Sequence, residues 1–178
     1  MRDQHVLIRP ARPDEPDVVL ALLNSAAAWL VERGIDGWRP GQFRVERIAV
    51  SIARRETHLM LMGEHAVATV TLEWSDARVW PGAPDDAGYV HRLAVAPAEH
   101  GKGLGRMLLT WAECQVAMKP RPYVRLDCGC ANAALRNYYE RAGYQHRGDR
   151  TVQGRAGEAF CASLYEKVLA ASEARRSA

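Results

Sequence analysis

The chain has one place where the backbone itself is arranged to do chemistry. An apolar run ending in Leu93-Ala94-Val95 leads through Ala96-Pro97 to His100-Gly101-Lys102-Gly103-Leu104-Gly105-Arg106, and a helical pattern begins there. Glycines in such a strand-to-helix turn let the main chain approach a ligand closely. The unpaired N–H groups of the helix N-terminus converge where the macrodipole is positive. This is phosphate-binding chemistry, and Lys102 and Arg106 add charge to the same turn. The glycines could equally serve only as a tight connection. Two other phosphate motifs do not fit. A P-loop needs Gly-Lys followed by Ser or Thr, where this chain has Gly103-Leu104; a dinucleotide fingerprint needs Gly-x-Gly-x-x-Gly, where this chain has Gly-x-Gly-x-Gly.

Candidate proton carriers are few. Alternation along Tyr89-Val90-His91-Arg92-Leu93 predicts that Tyr89, His91 and Leu93 share one strand face. His91 titrates near neutrality and could take a proton directly or through water, although an imidazole in an apolar strand is also a common hydrogen-bonded core residue. Glu73, on the preceding strand, is the second candidate base, with a solvated strand-end carboxylate as its plainer role. Tyr139 shares a helical stripe with Leu135, Tyr138 and Ala142, and spacing alone makes it a packing residue. The loops Gly34–Gly41, with Trp38, and Ser75–Ala87, with Asp76, Trp80, Asp85 and Asp86, set carboxylates beside aromatics. Such a pairing can hold a cationic amine or simply be solvated. Cys114, Cys128, Cys130 and Cys161 contain no Cys-x-x-Cys pair, so reduced structural thiols and no metal are expected.

The elements that must position these residues read as follows. Asp14 and Pro16 predict the cap and first turn of a helix that carries Val18, Leu22, Ala26, Trp29 and Leu30 on one face and stops at Gly34. Val45, Ile48, Ala49 and Ile52 predict a second helix. Thr57–Trp74, broken at Gly63-Glu64-His65, reads as a hairpin, and Tyr89–Val95 as a further strand. Leu104, Met107, Leu108, Trp111 and Ala112 follow a helical period after the glycine turn. A strand at Tyr123–Cys128, a helix over Asn132–Ala142 and strands near Tyr144–Arg147 and Ala159–Lys167 complete the series. The order β-α-α-β-β-β-α-β-α-β-β predicts one α/β domain over residues 1–169 with a mixed sheet, followed by a polar tail at 170–178.

Composition agrees. With 178 residues, 48% hydrophobic and 25% charged, the chain can bury a core without metals or disulfides. Its 24 Lys+Arg and 21 Asp+Glu give a dispersed net +3, too mild to predict nucleic-acid binding. No run of about 18 apolar residues predicts a membrane span, and MRDQHVLIRP lacks the apolar core of a signal peptide, so a cytoplasmic protein is expected.

Two motifs together resemble the GNAT superfamily of acyl-CoA-dependent N-acyltransferases. His100-Gly101-Lys102-Gly103-Leu104-Gly105, after the strand Leu93-Ala94-Val95, is similar to the signature Arg/Gln-x-x-Gly-x-Gly/Ala, with His100 in place of Arg or Gln. Asn132 followed by Tyr139-Glu140-Arg141-Ala142-Gly143-Tyr144 is similar to the second family element. The resemblance implies a mostly antiparallel mixed sheet of six to seven strands flanked by about four helices. It implies that acetyl-CoA lays its pantetheine along the backbone of Leu93, Ala94 and Val95 and its pyrophosphate on the amides from Gly101 to Arg106, with Asn132 facing the pantetheine. Tyr139 is implied beside the thioester sulfur as the acid that protonates the leaving thiolate, and a backbone N–H near Val95 as the oxyanion donor. Many members carry a Glu on the strand before the signature; this chain has none between Gly88 and Glu99, which points to His91 as the base. The expected activity is acetyl transfer to a primary amine, small or peptidic, with no metal, nucleic acid or membrane partner, and the resemblance leaves room for a homodimer. The rival is a non-catalytic acyl-CoA-binding or protein-interaction module on the same fold.

Overall fold

The structure, a computed structural model, describes residues 5–154 and 158–169. The expected tail at 170–178 lies outside the described residues. Strands β1 (Val6–Pro10), β2 (Thr57–Met62), β3 (His65–Glu73), β4 (Ala87–Val95), β5 (Tyr123–Gly129), β6 (Gln145–Gln153) and β7 (Ala159–Val168) hydrogen-bond in the order β1-β2-β3-β4-β5-β7-β6. Helices α1 (Pro16–Glu32), α2 (Val45–Ala53), α3 (Leu104–Ala117) and α4 (Ala133–Arg141) join them, with a short 3-10 turn at Pro97–Glu99. The β4–β5 pair is parallel, whereas β1–β2, β2–β3, β5–β7 and β6–β7 are antiparallel. This is the mixed, mostly antiparallel α/β sheet that the sequence predicts. No described helix is long and apolar enough to cross a membrane.

The described residues fold as two compact units, 5–72 with 91–109, and 73–90 with 110–154 and 158–169. In the first, β2 and β3 are joined through Gly63-Glu64, where Gly63 at φ 61° supplies the left-handed step a two-residue hairpin needs. Val67 through Leu72 are all buried, the continuous run of a strand covered on both faces. Helix α1 packs Val19, Leu22 and Leu23, and α2 packs Ile48 and Ile52, onto Leu59, Leu61 and Ala94.

Helix α1 differs from expectation in cap and phase. Glu15, not Asp14, precedes the helix, and its carboxylate is taken by both Nη atoms of Arg9 (2.7 and 2.6 Å) and by the Arg12 N–H. That pairing holds the Glu15 carboxyl down at about 2, chiefly through the Arg9 hydrogen bond. The buried face is Val19, Leu22, Leu23 and Ala27, with Val18 40% exposed, so the apolar stripe lies one residue on from the expected one. Helix α3 shows a similar shift: Leu108, Leu109, Ala112 and Val116 are buried while Met107 is exposed.

In the second unit β4 lies beside β5 over Ala87–Val90 and Tyr123–Leu126. Gly88 is required there, because a Cβ would lie 3.2 Å from one methyl of the fully buried Val116 and closer still to the other. Arg125, buried on β5, sends Nε to Glu166 (2.8 Å) and Nη1 to Asp86 (2.8 Å) and to the Tyr89 hydroxyl (3.1 Å). Arg121 holds Asp85 at 2.6 Å and the carbonyls of Ala87 and Trp74. Asp76 accepts the Val79 N–H at 3.1 Å. The carboxylates that the sequence offers to a cationic ligand at Asp85 and Asp86 are therefore already paired with arginines.

The expectation of four reduced thiols is also corrected. The β5–β7 ladder sets Gly129 opposite Ala162, so Cys130 follows directly across from Cys161, with Cα atoms 5.5 Å apart, and the two form a disulfide. Cys114 and Cys128 are free thiols.

Candidate active site

In the first unit the glycine turn has the backbone its residue types demand. Gly101 (φ 80°) and Gly103 (φ 76°) are both left-handed, immediately before Leu104 opens α3. A Cβ on either would meet nothing within 4 Å, so these positions need glycine for conformation and not for space. The residues fit a phosphate group: two left-handed glycines without side chains lead into the positive end of a 14-residue helix. Lys102 is exposed and bound to Glu99 at 2.7 Å, and Arg106 is exposed on the first turn of α3. Gly105 follows inside the helix, and Leu104 is buried and anchors it.

His100 has a role the sequence does not reveal. Its Nε2 lies 3.0 Å from the Val95 carbonyl oxygen, which accepts the N–H, and its ring meets Trp29 of α1 edge-on at 4.7 Å. His100 thus ties the end of β4 to the turn and to α1, in place of an outward Arg or Gln.

Leu93 and Val95 are half-buried and Ala94 is buried on β4, whose end is held by the Ala96 N–H donating to Val67 at 2.8 Å. The alternation expected through this strand is broken at Arg92, which takes φ 50°. A left-handed residue inside a strand inserts a kink, so the shared face of His91 with Leu93 does not follow from a period of two. Arg92 is reached by a buried polar chain: its Nη1 lies 3.4 Å from Ser51 Oγ, which contacts Thr57 Oγ1 at 2.8 Å, which contacts Thr71 Oγ1 at 3.1 Å. His91 is half-buried at the start of this segment.

The second unit holds Asn132, Tyr139 and Glu73. Asn132 is the N-cap of α4, its Oδ1 accepting the Leu135 N–H at 3.0 Å, and its amide nitrogen is a donor for a ligand. Tyr139 is buried, with ring centroids of Tyr138, Tyr165 and Tyr144 at 5.5, 5.9 and 6.0 Å. Gly143 (φ 89°) ends α4, and the Tyr144 N–H returns to the Tyr139 carbonyl at 3.0 Å. The Tyr-Glu-Arg-Ala-Gly-Tyr motif is therefore a helix stop that folds its second aromatic back onto its first. Burial above all pushes the Tyr139 phenol up from its ordinary value and keeps it protonated, with the Asp127 carboxylate adding to the effect. Burial first, and then Asp127, likewise raises the Cys128 thiol to about 12, so it is an inert core group. Glu73 is half-buried at the end of β3.

Trp38 packs edge-on against Phe43 at 5.2 Å in the first unit's core margin. Trp80 stands 5.4 Å from the Arg125 guanidinium.

Comparison with known proteins meets this geometry from outside. The profile of the Acetyltransferase (GNAT) family matches residues 23–144. The chain is 32% identical over 148 residues to the N-acetyltransferase YesJ of Bacillus subtilis (strain 168), covering 78% of this chain and 81% of that one. It is 30% identical over 141 residues to the mycothiol acetyltransferase of Tsukamurella paurometabola, covering 75% of this chain and 46% of that protein. Among solved structures, a GNAT-family acetyltransferase from Listeria monocytogenes 4b F2365 superposes with a TM-score of 0.76 at 27% identity, covering 92% of this chain and 95% of that one. The chain belongs to the GNAT acetyltransferase family. It is an N-acetyltransferase whose acetyl donor is acetyl-CoA.

The turn admits a direct test. Valine at position 103 would be forced into a left-handed conformation that costs about 1–2 kcal/mol, or would swing the amides out of line to escape it. Acetyl-CoA affinity of Gly103→Val is expected to fall about tenfold, read by calorimetry, with Tm lowered by about 2–8 °C. Unchanged affinity would place the pyrophosphate elsewhere.

Proposed function

We propose that the acetyl group passes to a primary amine by direct attack on the thioester, with Gly101–Arg106 cradling the pyrophosphate, Tyr139 as the acid and His91 as the base. The observation that carries the reading is the pair of left-handed glycines, 101 and 103, opening α3 beyond a β4 whose end is kinked at Arg92. The ladder of β4 with β5 covers Ala87–Val90 and stops before Leu93 and Val95, which suits a pantetheine bound as an added strand there. Asn132 would donate to the pantetheine through its amide nitrogen.

The amine nitrogen attacks the thioester carbonyl carbon, and the oxygen gathers the charge against a backbone N–H near Val95. His91 removes the proton that the amine sheds as the C–N bond forms. The C–S bond then breaks, and Tyr139 gives its phenolic proton to the thiolate. Burial keeps this phenol protonated at neutral pH, as a proton donor must be, while making it a weaker acid, so transfer depends on the thiolate forming beside it. The acceptor is a small or peptidic amine. A donor made inside the cell suits a cytoplasmic enzyme.

The deciding experiment is release of free CoA thiol from acetyl-CoA against a panel of peptide N-termini, lysine, polyamines, amino acids and aminoglycoside-like amines. Release with one class identifies the acceptor. Tight acetyl-CoA binding without release for any of these amines would mean that the acceptor lies outside the panel.

His91 has its own test. An imidazole base must be neutral, so kcat/KM should fall towards acid pH as His91 protonates. In His91→Gln the rate should drop and this acidic limb should flatten. If the limb persists and follows the amine's own pKa, the substrate sets it, and Glu73 or a water relay takes the proton.

A further inference from the structure

Cys130, Cys161 and Asp149 form a cluster that acetyl transfer does not use. One carboxylate oxygen of Asp149 and the two Sγ atoms lie within 4.8 Å of one another, on three adjacent segments of the second unit: the end of β5, β7 and β6. We propose that, when the Cys130–Cys161 bond is reduced, the two thiolates and Asp149 hold one soft divalent cation of the zinc type, so that the pair alternates between a disulfide and a metal chelate.

Four observations carry this. First, the cysteines sit directly across a β-ladder with Cα atoms 5.5 Å apart, so two thiolates freed from each other still face one ion. Second, β6 shifts register between His146 and Asp149, with Gly148 at φ 107°, and this bulge brings both residues together: His146 Nε2 lies 2.7 Å from Asp149 Oδ1. Bulges of this kind re-aim side chains at sites. Third, the Ser163 hydroxyl also donates to Oδ1 at 2.7 Å, so both hydrogen bonds orient the carboxylate from one oxygen, as second partners of metal ligands do. Fourth, charge balances. Two thiolates and a carboxylate leave a divalent ion one negative charge in excess, and the Arg136 guanidinium stands at the same end with Nη1 3.5 Å from the Cys130 carbonyl. Two sulfurs with an oxygen or imidazole donor suit zinc, water completing the tetrahedron. Cys161 and Asp149 are exposed, so reductant and ion can reach them.

The chemistry closes. Two equivalents of a low-molecular-weight thiol cleave the S–S bond, yielding two protein thiols and one small disulfide. The cation then displaces one proton from each thiol as two metal–sulfur bonds form. Either state clasps β5 to β7 just before Asn132 caps α4.

Cobalt(II) is the probe. The full chain, reduced with dithiothreitol and desalted without oxygen, is expected to bind one Co²⁺ with thiolate charge-transfer and tetrahedral d–d bands that Zn²⁺ abolishes. The oxidised chain should show neither. Cys161→Ser should lose the charge-transfer band, and His146→Gln should weaken binding by about 10–100-fold. Cys114→Ser/Cys128→Ser should keep it all. The proposal falls if the reduced wild-type chain gives no thiolate bands, if Cys161→Ser retains them, or if the Cys114/Cys128 variant loses them. Comparing oxidised with reduced wild type needs no substitution, so a variant that fails to fold leaves the test standing. Acetyl transfer is measured separately on the same samples.

Discussion

Tyr139→Phe is expected to lower turnover by about 10²–10⁴ while leaving acetyl-CoA affinity nearly unchanged. The change removes one oxygen from a ring that Tyr138, Tyr144 and Tyr165 surround on several sides, so packing is retained and only the proton is lost. Two measurements separate the roles. Pre-steady-state thiol release reports the chemical step, and calorimetry with CoA reports binding. The rate loss should shrink when the leaving thiol is more acidic, because a thiolate that departs easily needs no proton. Wild-type turnover in the variant would make Tyr139 a packing residue and nothing more. The raised phenol pKa gives the sign of the pH effect: this group stays protonated across the neutral range and contributes no basic limb there.

Arg125→Met should be the most destabilising single change in the second unit, by about 3–5 kcal/mol, the usual effect of stripping one partner from a buried ion pair. The Arg125 side chain is only 6% exposed and Glu166 11%, so the Glu166 carboxylate cannot turn to water when Nε leaves it. Asp86 loses its 2.8 Å partner at the same time, while Arg147, on the far side of Glu166 at 2.9 Å, gives partial compensation. Thermal unfolding followed by circular dichroism should show a Tm lowered by about 6–20 °C. Combining Arg125→Met with Glu166→Leu should recover much of the loss, since an apolar pair of similar volume removes the stranded charge. A shift of less than about 2 °C in the single variant would mean that water already screens the pair.

Much of the fold and part of the site are local properties of the chain. The hairpin at Gly63-Glu64, the strands at β4 and β5, and the helices after Pro16, Gly103 and Asn132 follow from apolar periodicity and from turn residues that act within a few positions. The glycine turn is legible for the same reason: left-handed φ at 101 and 103 is a demand that glycine alone meets freely, so the residue type announces the conformation. The Tyr139–Tyr144 motif is a helix stop written in six consecutive residues.

What periodicity could not carry are contacts between segments distant in the chain. The Cys130–Cys161 bond spans 31 residues and the Arg125–Glu166 pair 41, and each depends on the β5–β7 register, which no single strand contains. The buried face of α1 is set by its packing onto Leu59, Leu61 and Ala94, and Arg9, on β1, claims Glu15 and leaves Asp14 outside the cap. His100 looks like a lost ligand in the signature until Trp29 and the Val95 carbonyl are placed around it. The left-handed Arg92 breaks an alternation that its neighbours' types obey, with Ser51 at the end of its side chain and a line of buried hydroxyls behind it. Residue types therefore determine which local conformations this chain can adopt, and so the elements and the phosphate turn. The pairing of distant segments decides which charges are spent in the core, which cysteines meet and which way β4 bends, because burial and register are properties of the assembled sheet.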